Sequence, residues 1–215
     1  MGRRFVAERR HDPFYRAAQR EGLRSRAAFK LEHLDRRFHL LLPGRRVLDL
    51  GAAPGGWSLV AARAVGAAGA VVAVDLRPVE PIDGVRTVRG RVGDPELASR
   101  LGAGTFDVVL SDLSPRISGA YATDHARSVE LVRDAWHLAS AVLAPGGAFV
   151  AKVFDGDLVP GLVAELADQF RSVQRTKPPA SREASSEIYV VARGFRGAPG
   201  GGAPRDDRRG RGSDI

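Results

Sequence analysis

Short runs of β-branched and aliphatic residues alternate with helical stretches along most of this chain, and that alternation constrains the fold more than any other feature. Six runs predict strands: Val47–Leu50, Val71–Val74, Val85–Val88, Phe106–Leu110, Ala148–Phe154 and Ile188–Ala192. The segments near 56–65, 95–101, 121–143 and 157–170 predict helices between them. Because the strands are almost continuously apolar, we expect both faces of the sheet to be covered, which is typical of an α/β fold with a mostly parallel, doubly wound sheet flanked by helices.

A further helix is predicted ahead of the first strand. It would start at Ser25 as N-cap and place Ala28, Leu31, Leu34 and Phe38 on one face, ending before Pro43-Gly44. The chain then divides into three parts. These are a basic N-terminal arm over residues 1–22, one domain over 23–195, and a Gly/Arg-rich tail over 196–215 that has too little apolar surface to fold.

The positive charge of the chain is concentrated at its start. Residues 1–46 hold 13 Arg and Lys against 5 Asp and Glu, a net of +8, which is the whole formal net charge of the protein. A basic extension on a neutral domain is typical of proteins that approach a phosphate backbone, so we expect RNA as a partner through residues 1–46. The plainer alternative is a solvated basic tail with no partner.

Composition excludes several kinds of chemistry. The chain has no cysteine, so disulfides, thiolate metal sites and a cysteine nucleophile are excluded. The five histidines show no metal-ligand spacing, and no metal is expected. No signal peptide or membrane-compatible apolar run is recognisable, which favours a soluble cytoplasmic protein.

A glycine-rich turn follows the first predicted strand, in the segment Val47-Leu-Asp-Leu-Gly-Ala-Ala-Pro-Gly-Gly-Trp57. Ligands bind at such turns in open α/β sheets, but the spacing of Gly51 and Gly55 differs from that of dinucleotide-binding loops. A nucleoside without a pyrophosphate is favoured. Asp75, at the end of the second strand, can accept hydrogen bonds from ribose hydroxyls, and these facts together predict S-adenosylmethionine. Asp49 and Asp112 would face its positive charges.

Lysine is rare in this chain. Of 33 basic residues only Lys30, Lys152 and Lys177 are lysines. In a sequence so rich in arginine, each lysine is a candidate for a position where a guanidinium would not serve, because only an ammonium can lose its proton near neutral pH.

Five segments together resemble the RrmJ/FtsJ family of ribose 2′-O-methyltransferases, over roughly residues 20–195. They are Arg24-Ser-Arg-Ala-Ala-Phe-Lys30, Asp49-Leu-Gly-Ala-Ala-Pro-Gly-Gly-Trp-Ser58, Ser111-Asp-Leu-Ser-Pro115 with Ser118-Gly119, Gly146 to Phe154, and Ser185-Ser-Glu-Ile-Tyr189. The resemblance implies a Rossmann-like class I fold and a catalytic tetrad formed here by Lys30, Asp112, Lys152 and Glu187. It also implies a large-subunit ribosomal RNA uridine, in free RNA or in the ribosomal subunit, as the target.

Methylation of a ribose hydroxyl requires groups of the kinds that this tetrad contains. A ribose hydroxyl is a weak nucleophile that must be aligned with the methyl donor and relieved of its proton. Lys152 is the candidate base, and Lys30 supplies a second cation that makes loss of its proton easier. Asp112 would hold the Lys152 ammonium, Glu187 would fix Lys30 or the ribose, and Trp57 would shield the methionine part of the cofactor.

Other interpretations stay open. Lys152 could be an extended surface lysine, Asp112 a helix N-cap, Lys30 a polar-face residue and Glu187 an edge-strand charge. Arg91 stands where the family carries an acid near the adenine, so backbone groups or Asp94 would make that contact.

At the level of function, the alternatives are methylation of a tRNA anticodon loop, a non-catalytic RNA-binding ribosome-assembly factor, or a nucleotide-dependent oxidoreductase.

Overall fold

The computed structural model describes residues 22–102, 104–181 and 185–197. Helices and strands alternate through this part of the chain, as predicted. In order they are α1 (Ala27–Phe38), β1 (Arg46–Leu50), α2 (Gly56–Val65), β2 (Ala70–Asp75), β3 (Val85–Arg89), α3 (Leu97–Arg100), β4 (Phe106–Ser111), α4 (Tyr121–Val142), β5 (Leu143–Phe154), α5 (Val159–Ala167), β6 (Phe170–Thr176) and β7 (Glu187–Phe195).

The strands of the described residues form a seven-stranded sheet in the order β3-β2-β1-β4-β5-β7-β6. Every pairing is parallel except those of β7, which runs antiparallel to both β5 and β6. The predicted fold class, a mostly parallel and doubly wound sheet, is therefore confirmed. Strand order reverses between β1 and β4, and a crevice at such a point, outside the carboxyl ends of the strands, is where these sheets bind ligands.

Both faces of the sheet are covered, because side chains along each buried strand alternate between two apolar clusters. Leu48 and Leu50 of β1 contribute to the cluster that packs under α3, α4 and α5. Val47, between them in sequence, belongs to the other cluster, beneath α1 and α2, with Leu31 and Trp57. This two-sided burial explains why the strand sequences are apolar without interruption.

One predicted element ends early and one strand is absent from the prediction. The helix predicted over 157–170 stops at Ala167, and Phe170–Thr176 forms β6 at the edge of the sheet. Three of its residues, Arg171, Gln174 and Arg175, are polar and exposed. An edge strand can carry exposed polar residues because it is only partly covered. These residues interrupt the apolar run by which the other strands are recognised in the sequence.

The predicted N-cap of α1 is also wrong. The N-cap is Arg26, and no side chain caps this end. Ser25 instead packs with its Oγ directly against the Cα of Gly56, at the start of α2. The serine hydroxyl therefore packs against the glycine-rich turn and does not cap α1.

The proposed arm over 1–22 and the tail over 196–215 lie almost entirely outside the described residues. None of the helices in the described ranges combines the length and hydrophobicity that crossing a bilayer requires.

Candidate active site

Four polar side chains from four elements meet at the carboxyl end of the sheet. Lys152 lies in β5, Asp112 directly follows β4, and Glu187 is the first residue of β7. Lys30 comes from α1. Because β4, β5 and β7 are consecutive in the sheet, their ends bring these groups together, although Lys30 and Glu187 are 157 positions apart in sequence.

Lys152 and Asp112 form one ion pair. The Lys152 Nζ lies 3.1 Å from the Asp112 Oδ1 and donates a hydrogen bond of 3.0 Å to the Asp112 backbone oxygen. Lys152 is only 8% exposed, which is inconsistent with a surface lysine. Asp112 is no helix N-cap either, since the next helix begins at Tyr121 and has Ala120 as its cap.

Lys30 and Glu187 form the second pair, with the Lys30 Nζ 2.5 Å from the Glu187 Oε2. Burial acts to raise the pKa of Glu187, but the Lys30 and Lys152 ammonium groups outweigh it and hold the pKa below its usual range. Both lysines therefore act on the same carboxylate. Glu187 is not on an edge strand, because β7 lies between β5 and β6, and Lys30 is buried rather than on a solvated helix face.

Tyr189 connects the two pairs, and the sequence interpretation gave it no role. Its Oη donates to the Asp112 Oδ1 at 3.1 Å, and its ring centroid lies 5.7 Å from the Lys30 Nζ. Burial, followed by the Asp112 and Glu187 charges, raises the pKa of Tyr189 well above its usual value, so the phenol keeps its proton. The sequence does contain a signal for a role of Tyr189 in the site, because Tyr189 stands two residues after Glu187 and so lies on the same face of the strand.

The glycine-rich turn packs against the loop after β4. Gly51 has φ of 80°, and a Cβ there would lie 3.0 Å from the Leu113 side chain and 3.2 Å from its backbone nitrogen. Gly55 has φ of 103° and would bring a Cβ to 3.0 Å from Ile82. Both positions thus require glycine, and Gly51 allows the turn to lie next to Asp112 and Leu113.

Three carboxylates surround this turn. Asp75 accepts hydrogen bonds from the backbone nitrogens of Ala53, at 2.9 Å, and Arg77, at 2.8 Å. Asp49 is fully buried, and one of its oxygens accepts a hydrogen bond of 2.6 Å from Ser58. Its other oxygen has no hydrogen-bond partner within the described ranges. Burial, opposed by the Ser58 hydrogen bond and aided by the Asp112 and Asp75 charges, raises the pKa of Asp49 to about 7.

This arrangement fits a cationic nucleoside ligand. A buried carboxylate oxygen without a donor, beside two further acids, produces a negative potential that a sulfonium or ammonium group would neutralise. Trp57 is buried near the same turn, donates from Nε1 to the Ala27 oxygen at 2.7 Å and packs 5.6 Å from the Tyr189 ring. Its contact with a cofactor remains a prediction.

Arg91 is exposed, while Asp94 accepts a hydrogen bond from the Glu96 nitrogen at 3.0 Å. That backbone groups or Asp94 contact the adenine stays a prediction. In the described part of the chain, no cluster of three His, Asp or Glu side chains is arranged to hold a metal ion.

The sheet is doubly wound, its glycine turn lies near carboxylates, and two buried amines lie at the same edge. This combination is typical of the class of Rossmann-like methyltransferases. The chain belongs to the FtsJ-like methyltransferase family, whose model matches residues 23–195. Family membership confirms the resemblance found in the sequence and the predicted cofactor, S-adenosylmethionine.

Several curated relatives carry the name ribosomal RNA large subunit methyltransferase E. The protein of Granulibacter bethesdensis is 47% identical over 90% of this chain and 84% of its own length. That of Methanothermobacter thermautotrophicus is 45% identical over 92% of this chain and 96% of its own length. Among solved structures, a Plasmodium falciparum protein described as a ribosomal RNA methyltransferase is 29% identical with a TM-score of 0.73, covering 81% of this chain and 100% of that one.

Proposed function

We propose that this protein transfers a methyl group from S-adenosylmethionine to the 2′-hydroxyl of a uridine in large-subunit ribosomal RNA. The names of the relatives support ribosomal RNA as the substrate. The observation that carries ribose chemistry is the convergence of two buried lysine–carboxylate pairs at one edge of the sheet. A hydroxyl group needs a base to accept its proton, and an amine that is held in place can supply one.

The residues around the glycine turn would hold the cofactor. Gly51 and Gly55 would shape the turn on which it lies, Asp75 would accept hydrogen bonds from its ribose hydroxyls, and the Asp49 carboxylate would act on its positive charge. Trp57 would cover its methionine portion. When bound, S-adenosylmethionine supplies an electrophilic methyl group on a sulfonium.

Lys152 would act as the base. Its Nζ has three possible hydrogen-bonding directions, two of which point to Asp112 atoms at 3.0 and 3.1 Å. The third is available for the ribose hydroxyl. In its neutral form Lys152 would take the hydroxyl proton as the oxygen forms its new bond, and Asp112 would stabilise the resulting ammonium.

Lys30 and Glu187 would position the ribose. Lys30 is fixed by its 2.5 Å contact with Glu187 and packs over the Tyr189 ring. Its positive charge would stabilise the negative charge that develops on the ribose oxygen. The basic residues of segment 1–46 would hold the RNA backbone outside the site.

Mapping the methyl group tests this function. Unmethylated large-subunit ribosomal RNA and bulk tRNA are each incubated with the protein and labelled S-adenosylmethionine, and modified nucleotides are identified by mass spectrometry. We expect one 2′-O-methyluridine in the ribosomal RNA and none in tRNA. Label on a base, or on tRNA alone, would overturn the proposal, and no transfer to any RNA would favour a non-catalytic assembly factor.

A further inference from the structure

An exposed aromatic ring is hydrogen-bonded to the segment that follows Lys152 and is not used in the function proposed above. Tyr121, the first residue of α4, is 60% exposed. Its hydroxyl donates a short hydrogen bond to the backbone oxygen of Asp155, three residues beyond Lys152. The Asp155 nitrogen in turn donates to the oxygen of Ser186 at 2.8 Å, immediately before Glu187. Tyr121 is therefore fixed to the segments that carry Lys152 and Glu187.

The Tyr121 ring is supported on one face. The His125 ring stacks on it with the centroids 6.1 Å apart and the planes 9° from parallel. His125 itself is buried and held at both nitrogens, by Phe154 oxygen at 2.9 Å and Leu158 nitrogen at 3.2 Å. A Cβ at Gly156 would lie 2.7 Å from the imidazole, so this neighbour fixes it as well. The high exposure of Tyr121 must therefore arise from its edges and its opposite face.

The loop that joins Asp112 to Tyr121 has a defined shape and an exposed tip. Asp124 accepts hydrogen bonds from the Ser118 nitrogen at 2.8 Å and the Gly119 nitrogen at 3.1 Å, which closes the end of the loop. Just before this closure, Ile117 is 66% exposed. Arg116 is exposed and makes no ion pair with any other residue that the structure describes. An aliphatic group and a free guanidinium thus accompany the aromatic ring.

We propose that the Tyr121 ring is a stacking platform for an unpaired RNA base next to the nucleotide that is methylated. This inference rests on the proposed function, because the base must belong to the RNA whose ribose reaches Lys152. A rigid, half-open aromatic ring suits stacking, which every base can provide through its π face. Arg116 supplies the positive charge that a neighbouring phosphate requires. An exposed ring that is tied to the segments carrying Lys152 and Glu187, with an exposed arginine five residues earlier in the chain, fits a nucleotide better than an apolar peptide.

Two substitutions separate stacking from the bond to Asp155. Tyr121→Phe removes the hydroxyl and keeps the ring, whereas Tyr121→Leu removes the ring and keeps apolar volume. Loss of one base–aromatic stack weakens binding by about 5- to 150-fold. We expect Tyr121→Leu to raise the KM for unmethylated large-subunit ribosomal RNA about tenfold, with kcat and the Kd for S-adenosylmethionine within twofold of the wild type. Tyr121→Phe should keep the wild-type KM.

His137→Leu is the matched control. His137 is also an exposed ring of α4, but it lies 16 residues after Tyr121, near the end of the helix that leads into the start of β5, and so far from the segments that carry Lys152 and Glu187. Its substitution should leave the KM for RNA unchanged. A KM for Tyr121→Leu within twofold of the wild type would overturn the stacking role. Equal losses in Tyr121→Phe and Tyr121→Leu would overturn it too, because the bond to Asp155 would then explain the effect.

Direct binding keeps this inference separate from the proposed function. The Kd of the same RNA is measured by filter binding at two salt concentrations, which needs no methyl transfer. Stacking predicts a tenfold weakening in Tyr121→Leu that is similar at both salts, since phosphate contacts carry most of the salt dependence. If the wild type binds this RNA but methylates no ribose, the proposed function fails while the stacking result still stands. An unchanged Kd in Tyr121→Leu would overturn the stacking role of Tyr121 and leave the proposed function unaffected.

Discussion

The two sides of the site differ in charge and in how the chain builds them. On the side of β1 and β2, Asp49 and Asp75 flank one continuous turn, and one oxygen of Asp49 has no hydrogen-bond partner among the described residues. On the side of β5 and β7, each acid already has a lysine within 3.1 Å. An uncompensated acidic side attracts a cation, whereas a neutralised side is stable without a ligand and holds its amines in place. We infer that the first side binds the cofactor and the second performs proton transfer.

The Lys30–Glu187 pair should show the largest combined effect. Lys30→Met removes the partner of a carboxylate whose side chain is 25% exposed, and the loss of such a charged hydrogen bond costs about 2 kcal/mol of the free energy of unfolding. We also expect methyl transfer to fall by about 10²-fold, because the ribose loses its positioning cation. Urea denaturation and single-turnover assays measure the two quantities.

The double variant Lys30→Met with Glu187→Leu separates these effects. It removes both charges, so most of the stability should return, whereas methyl transfer should stay low. Wild-type transfer by the double variant would mean that the pair serves stability alone.

Asp49 should produce a pH-dependent effect on stability. Its pKa is about 7 in the folded protein and 3.8 in the unfolded chain, so the folded state binds more protons between these values. Stability without cofactor therefore falls as the pH rises from about 4 to 7, by at most about 4 kcal/mol. Asp49→Asn removes this penalty and should raise the free energy of unfolding at pH 8 but not at pH 4.

The same substitution should weaken the binding of S-adenosylmethionine at pH 8, where Asp49 is ionised. Calorimetric titration of the wild type and Asp49→Asn measures this loss. The control is the same titration at pH 5, where Asp49 is protonated and resembles asparagine, so the wild type and Asp49→Asn should bind the cofactor equally. Equal cofactor affinity in Asp49→Asn and wild type would contradict the assignment of the acidic side to cofactor binding.

Tyr189→Phe should have the smallest effect of the three. It removes a hydrogen bond of 3.1 Å to the charged Asp112 but keeps the ring that packs near Trp57. We expect a loss of about 1.5 kcal/mol in the free energy of unfolding. Methyl transfer should slow by less than tenfold, with an unchanged Kd for S-adenosylmethionine. A loss of cofactor binding instead would show that the two sides are not independent.

The two sides also differ in how far the sequence predicts them. The turn from Asp49 to Trp57 is local, so its glycines and its position after β1 follow from spacing alone. The proximity of Lys30 to Glu187 depends on strand order, and only the family resemblance suggested it. Neither the unpartnered oxygen of Asp49 nor the stacking of Tyr121 on His125 could be predicted, since each depends on which side chains are buried together. The edge strand β6 was missed because polar residues dominate its exposed face.

Lys152→Arg offers the most direct test of the division between the two sides. Arginine keeps the positive charge beside Asp112 but does not release its proton near neutral pH. We predict that the single-turnover rate falls by about 10²- to 10⁴-fold while the Kd for S-adenosylmethionine stays within twofold, and that Lys177→Arg, the same exchange at an exposed lysine, changes neither. Wild-type transfer by Lys152→Arg would contradict the role of Lys152 as base.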